Sequence, residues 1–324
     1  MTKLTRRTIL AGIAAAPLAA PAVARSQSAP VMRFVVPFPP GGTVDPIARL
    51  SQPGMQEKLG ATIVVDNRPG ASGSIGSAQV AKSPPDGNTW LFVFDTHAAN
   101  PFLMNLPFDT EKDLAPVMLI GRAPYLLASH PDKPYNSFAD IVKASKAKPG
   151  SVSFATVGAG SVGHLAMVML GKRAGIQLTH VPYRGGGPAM AATLGGQVET
   201  IIGSAALATP QVVSGKLKGI LNTGASPLKA LPNVQTAQQA GFDNFETYAW
   251  WGVFAPGGTP QPVIDRFATA LREVLSQEKI SRQLSEQQQI EMVLGGPEEL
   301  RKFFTQQMQT WGPIIKEENI KADQ

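Results

Sequence analysis

Apolar residues along this chain come in short runs, each closed by glycine or proline and followed by residues at helical spacing. Val31-Met32-Arg33-Phe34-Val35-Val36 predicts a buried strand. The loop Pro37-Phe38-Pro39-Pro40-Gly41-Gly42-Thr43-Val44-Asp45 follows it, and Pro46-Ile47-Ala48-Arg49-Leu50 predicts a helix, with Asp45 suited to its N-cap and Pro46 to its first turn. The pattern recurs at 151–157, where a strand runs through Gly158-Ala159-Gly160-Ser161-Val162-Gly163 into a helix beginning near His164. It recurs again at Trp251-Gly252-Val253-Phe254, which leads through Ala255-Pro256-Gly257-Gly258-Thr259-Pro260 to a helix near 263–267. Three strand–glycine–helix joints predict an α/β fold with open parallel sheets, in which ligands bind beyond the carboxyl ends of the strands.

Further strands are expected at 61–66, 89–94, 117–120, 125–128, 179–183, 199–202 and 218–222. Helices are expected at 77–81, 137–147 (capped by Ser137) and 189–194, and over most of 263–315. Pro53-Gly54 predicts a kink in the first helix. The repeated joint suggests two lobes, 25–128 plus 245–324 and 129–244. The segments 126–129 and 245–252 would connect them as a hinge, with a small-molecule site between.

Backbone N–H groups at a glycine turn and a helix start attract anions. Neither of the first two joints contains lysine or arginine, so backbone dipoles would hold an anion there. Gly158 to Gly163 matches G-x-G-x-x-G, but the next strand ends Thr179-His180-Val181-Pro182-Tyr183 without the acid that a dinucleotide ribose needs. Ala159-Gly160-Ser161-Val162-Gly163 is one residue from a nucleophile elbow. His164 is too near Ser161 to act as its base, and His180 has no clear acidic partner. His97 and His164 either line a cleft or are structural, and Arg184 either faces a carboxylate or is solvated. No metal-ligand spacing is present.

The chain has no cysteine, which excludes disulfides, thiol nucleophiles and zinc–thiolate sites. Its formal charge is +6, to which Lys3, Arg6 and Arg7 contribute three. The remaining basic residues are scattered, so nucleic acid is not expected as a partner. Arg6-Arg7, the uncharged stretch to Ala24 and Ala22-Val23-Ala24 predict a twin-arginine secretory signal over 1–24, cleaved after Ala24, and hence a periplasmic protein.

In order, the motif at 37–45 followed by Ala48-Arg49, then Asn67-Arg68-Pro69-Gly70-Ala71-Ser72-Gly73-Ser74-Ile75-Gly76, Pro85-Asp86-Gly87, Thr96-His97-Ala98-Ala99-Asn100-Pro101, Gly163-His164-Leu165, His180-Val181-Pro182-Tyr183-Arg184-Gly185, Leu194-Gly195-Gly196-Gln197-Val198 and the joint at 255–260 resemble the Bug receptors. These are the extracytoplasmic solute receptors of tripartite tricarboxylate transporters. The resemblance spans essentially the whole chain beyond the signal. It implies a two-lobed, periplasmic-binding-protein-like α/β fold (type II-like) with a ligand cleft between the lobes. It also implies a small carboxylate ligand, membrane permease subunits as partners, no cofactor and a monomer. Carried over, the ligand-binding residues are Phe38, Pro39, Gly41, Gly42, Thr43, Asp45, Thr96 and His97 on one side, and Thr156, Val157, Gly158, Gly160, Ser161, His164, Tyr183 and Ser204 on the other.

Five residues depart from the pattern: Ser72 in place of a glycine, Pro53-Gly54 in the first helix, Asn88 in place of an aromatic, and Asp95. Asp95 at the cleft edge would suit a ligand with a cationic group. A receptor is expected over an exported enzyme because no acid, base and nucleophile set is legible. A sensor subunit that presents ligand to a signalling protein needs the same cleft and remains an alternative.

Overall fold

The computed structural model describes residues 31–321, so the predicted signal lies outside the described residues. The chain begins β1 (Val31–Val36), α1 (Val44–Leu59), β2 (Thr62–Asn67), α2 (Ser74–Ala81), β3 (Thr89–Phe94) and α3 (Thr96–Leu103), then enters one long strand, β4 (Leu114–Ser129). After α4 (Phe138–Ala147) come β5 (Ser153–Thr156), α5 (Val162–Ala174), β6 (Thr179–Pro182), α6 (Gly186–Leu194), β7 (Thr200–Ser204), α7 (Ala205–Val213) and β8 (Lys218–Asn222). The return is β9 (Tyr248–Pro256), and the chain ends α8 (Gln261–Leu275), α9 (Glu278–Arg282), β10 (Glu291–Gly295) and α10 (Pro297–Glu317).

The sheet order is β2-β1-β3-β9-β4-β7-β5-β6, with β8 and β10 also pairing with β4. Helical crossovers make β2-β1-β3 and β6-β5-β7 parallel. The strands in the middle are antiparallel to their neighbours, so the expected open parallel sheets hold for the flanking strands and not for β9 and β4 between them. The strands expected at 117–120 and 125–128 are one strand. Gly121 reads as a breaker, but a Cβ there would lie 2.5 Å from the Glu291 carbonyl oxygen, so glycine is what admits β10. β10 itself falls in a tail expected to be helical. Positions 114–124 of β4 pair with β9, while Tyr125 to Ser129 pair with β7, so β4 belongs to both halves of the fold.

β9 runs antiparallel to β3, with Phe94 opposite Trp251. The third glycine joint, after Pro256, therefore lies at the opposite end of the sheet from the first two and takes no part in the cleft. α1 continues through Pro53 to Leu59. Gly54 lets it approach α8, since a Cβ would lie 2.9 Å from the Val274 side chain. Ser137 caps α4 as expected, in a reciprocal box with Asp140.

Helices cover both faces of the first sheet half. Trp90 stacks on Phe267 of α8 at 3.6 Å between centroids, beside Phe34 and Phe92. On the other face, Phe254 and Trp250 pack against Phe304 of α10. Each such aromatic stabilises the fold by roughly 1.5–3 kcal/mol through burial, so the sheet ends that carry the loops stand on a rigid floor.

Candidate functional site

The first glycine joint leaves the carboxyl end of β1. Asp45 does not cap α1: Thr43 precedes the helix and makes no side-chain capping bond. The Asp45 carboxylate instead accepts Arg49 Nε and Asn67 Nδ2, both at 2.9 Å. Asn67 Nδ2 also donates to the Phe38 carbonyl at 3.0 Å, and Thr43 Oγ1 accepts the Trp251 indole N–H at 2.9 Å. Asp45 and Thr43 thus fix the loop from beneath. The tip of the loop meets the other lobe. A Cβ on Gly187 would lie 3.0 Å from the Pro40 carbonyl oxygen, and one on Gly185 would lie 3.1 Å from Pro39 Cδ. The lobes are closed onto one another here.

The second joint is turned inward. Gly160 N–H donates to His164 Nδ1 at 3.0 Å, Gly158 N–H to Thr156 Oγ1 at 3.2 Å and Ser161 Oγ to the Gly158 carbonyl at 2.8 Å. His180 Nε2 is 2.7 Å from Thr156 Oγ1, and its ring stacks on His164 at 3.7 Å. Burial lowers the pKa of His164 to about 4. Burial, with His164 beside it, lowers that of His180 to about 3, so both are neutral braces. Ser161 is fully buried. Its hydroxyl is committed to the turn and presents no nucleophile to the cleft.

Two predicted contacts fall away. His97 is packed between Phe254 and Phe304 in the core, where burial pushes its pKa down to about 3. Asp95 is buried too and does not face a ligand. It accepts the Tyr125 hydroxyl, and its carboxylate lies against the N–H groups of Val162 and Thr96. Oδ1 has no partner at full hydrogen-bond geometry. Desolvation dominates and pushes the Asp95 carboxyl up to about 8. The start of α5, an anion site by its sequence, is therefore covered by the chain's own side chains. Thr96 is buried beside Asp95.

A cavity of about 540 Å³ opens between the lobes, beyond the carboxyl ends of β1, β2, β5 and β6. Of the predicted residues, Phe38, Val157, Gly158 and Tyr183 line it. Gly41, Gly42 and Thr43 line a separate pocket of about 640 Å³, and Gly42, Thr43 and Ser204 line a space of about 20 Å³ that shares Phe38 and Val157 with the cavity. The loop at 69–73, Ile75, Met104 and Arg184 also line the cavity. Sequence reasoning did not place Ser72 and Met104 there. Ala71 and Ser72 both have positive φ, +44° and +50°, and Asn100 Nδ2 donates to the Ser72 carbonyl at 3.1 Å. Strain of about 1–3 kcal/mol per residue is characteristic of functional loops. No acidic residue lines the cavity, and Arg184, exposed at its lip, forms no ion pair among the described residues.

Among the described residues, no group of His, Asp and Glu is placed to hold a metal ion. A family model described as "Tripartite tricarboxylate transporter family receptor" matches residues 47–320. Protein BugT of Bordetella pertussis is 32% identical over 323 residues, covering 98% of this chain and 99% of BugT. The structure of the periplasmic binding protein BugD matches with a TM-score of 0.85 at 31% identity, over 90% of this chain and 99% of BugD. That of R. palustris Rpa4515 with adipate matches with a TM-score of 0.84 at 29% identity, over 90% of this chain and 97% of that one. A two-lobed fold with its cavity at the lobe junction, and a match running from the first helix almost to the end of the chain, place this protein in the family of tripartite tricarboxylate transporter receptors, which are solute-binding proteins rather than enzymes.

Proposed function

We propose that this receptor works in the periplasm as a monomer, closes its lobes on a small carboxylate and delivers it to membrane permease subunits. The observation that carries the reading is the interlobe cavity itself: it has no acid in its wall, and Arg184 stands unpaired at its lip. Rpa4515, a structural neighbour, was solved with the dicarboxylate adipate, which supports the ligand class. The lobe exchange is proposed at Pro124/Tyr125 and at Thr247/Tyr248. There Thr223 Oγ1 accepts Tyr125 N–H at 2.9 Å and donates to the Thr247 carbonyl at 2.6 Å, tying the two crossing strands together. These positions lie a few residues from the boundaries 128/129 and 244/245 expected from sequence. The signal over 1–24 is proposed to be removed on export.

Calorimetric titration with mono-, di- and tricarboxylates tests the ligand class. At least one should bind, and at 100 times its Kd it should stabilise the protein by about 2.7 kcal/mol. Arg184→Gln should weaken that ligand by roughly tenfold, the low end for a charged hydrogen bond at an exposed site. Silence across the panel would end the carboxylate reading, and unchanged affinity in Arg184→Gln would remove Arg184 from it.

A further inference from the structure

The cavity wall has a chemistry narrower than that of a general carboxylate site. Its polar side chains are Ser72, Tyr183 and Arg184. Ser72 Oγ leans across the cleft toward the Ala159 carbonyl at 3.5 Å. The rest of the wall is Phe38, Ala71, Ile75, Met104, Val157, three prolines and glycine backbone. Ile75 is 56% exposed, one of only four large apolar side chains left exposed among the described residues, and the only one of them on this cavity. It stands beside the mouth, on the first turn of α2, with its Cδ1 2.4 Å from where a Cβ on Gly70 would lie. An exposed isoleucine held there by a strained loop has no packing role that requires its exposure.

We propose that the ligand is a carboxylate with an unsubstituted apolar body, alkyl or aryl, rather than a hydroxylated acid, and that Ile75 and Met104 select that body while Arg184 receives the charge. This rests on the carboxylate reading above and narrows it. Each methylene buried against such a wall gains roughly fourfold in affinity. Each ligand hydroxyl buried there without a partner costs roughly 5- to 150-fold. With so few polar side chains in the wall, a polyhydroxylated acid leaves most of its hydroxyls unpaired.

Matched pairs test this on the exported protein: adipate against its tetrahydroxylated counterpart galactarate, and hexanoate against gluconate. Within each pair, length and charge are constant and only the hydroxyls differ. The unhydroxylated member should bind at least about tenfold more tightly by calorimetry. Ile75→Asn should shrink that ratio several-fold. Because Ile75 is exposed, the variant should melt like the parent without ligand, and Met104→Gln provides a second probe from elsewhere in the cavity wall. Equal or tighter binding of the hydroxylated acids would overturn the proposal while leaving the carboxylate reading intact. So would a ratio unchanged in both variants. If none of the four acids binds but other carboxylates do, this inference alone falls. If no carboxylate binds at all, both readings fall.

Discussion

The glycine joint at 39–43 presents its backbone to the opposite lobe, whereas the joint at 158–163 is folded in on itself. Both follow a strand and open a helix, and neither contains a basic residue. The first is held from below by Asp45, Asn67 and Trp251, which leaves its tip against Gly185 to Gly187. In the second, the N–H groups of Gly158 and Gly160 are spent on Thr156 and His164. The start of α5 is covered by Asp95 and Tyr125. A glycine-rich turn before a helix creates donors. Whether a ligand can reach them depends on side chains that come from elsewhere in the chain.

The contrast can be broken most directly in the packed joint. Gly160 has φ +71°, and a Cβ there would lie 2.0 Å from Leu103 Cδ1. Gly160→Ala should cost about 2–4 kcal/mol of stability by denaturant unfolding, the sum of a left-handed conformation and overpacking. A loss below about 1 kcal/mol would show that the joint yields, and the claim that it is rigid would go.

Asp95 gives the next effect. A carboxyl whose folded pKa of about 8 lies above its unfolded value contributes fully below that unfolded value. Its contribution is lost as pH rises through about 8. The buried histidines have the opposite slope. Their folded pKa values of about 3 for His97 and His180 and about 4 for His164 lie below the unfolded value, so stability falls as pH drops below about 6.5. Asp95→Asn should therefore remove a fall in stability between about pH 4 and pH 8, worth up to about 1.4 kcal/mol per pH unit, and leave the histidine-driven loss at acid pH in place. Profiles of Asp95→Asn and parent that run parallel between about pH 4 and pH 8 would mean that Asp95 does not titrate in that range.

The exposed joint responds less, and differently. Gly187→Ala puts a methyl 3.0 Å from the Pro40 carbonyl oxygen, across the lobe junction. It should weaken the best ligand by about 1 kcal/mol, roughly fivefold, without changing the melting of the unliganded protein. Loss of stability with unchanged affinity would mean that the contact belongs to one rigid body and not to a closing cleft. Smallest of all should be Gly42→Ala, since nothing lies nearer than 3.9 Å to its would-be Cβ. Its effect on unfolding should stay within about 0.5 kcal/mol.

Local pattern alone set the alternation of strands and helices, the Ser137 cap, the helix-opening joints and the absence of cysteine chemistry, because each depends on residues close in sequence. It also carried the family resemblance, which rests on short ordered motifs. Sequence neighbours could not show that β4 is one strand shared by two halves, since Gly121 breaks the apolar run and only the approach of β10 explains it. Nor could they show that β9 runs antiparallel to β3 and so carries the third joint away from the cleft. His97 and Asp95 carry polar groups at the end of a strand, which in sequence looks like a cleft edge. In the fold, aromatic packing and the start of α5 bury them. The wall of the cavity joins loops at 69–75, 104 and 182–184. Residues so far apart in the chain meet only once the sheet fixes the order of its strands, because that order decides which loops share an end.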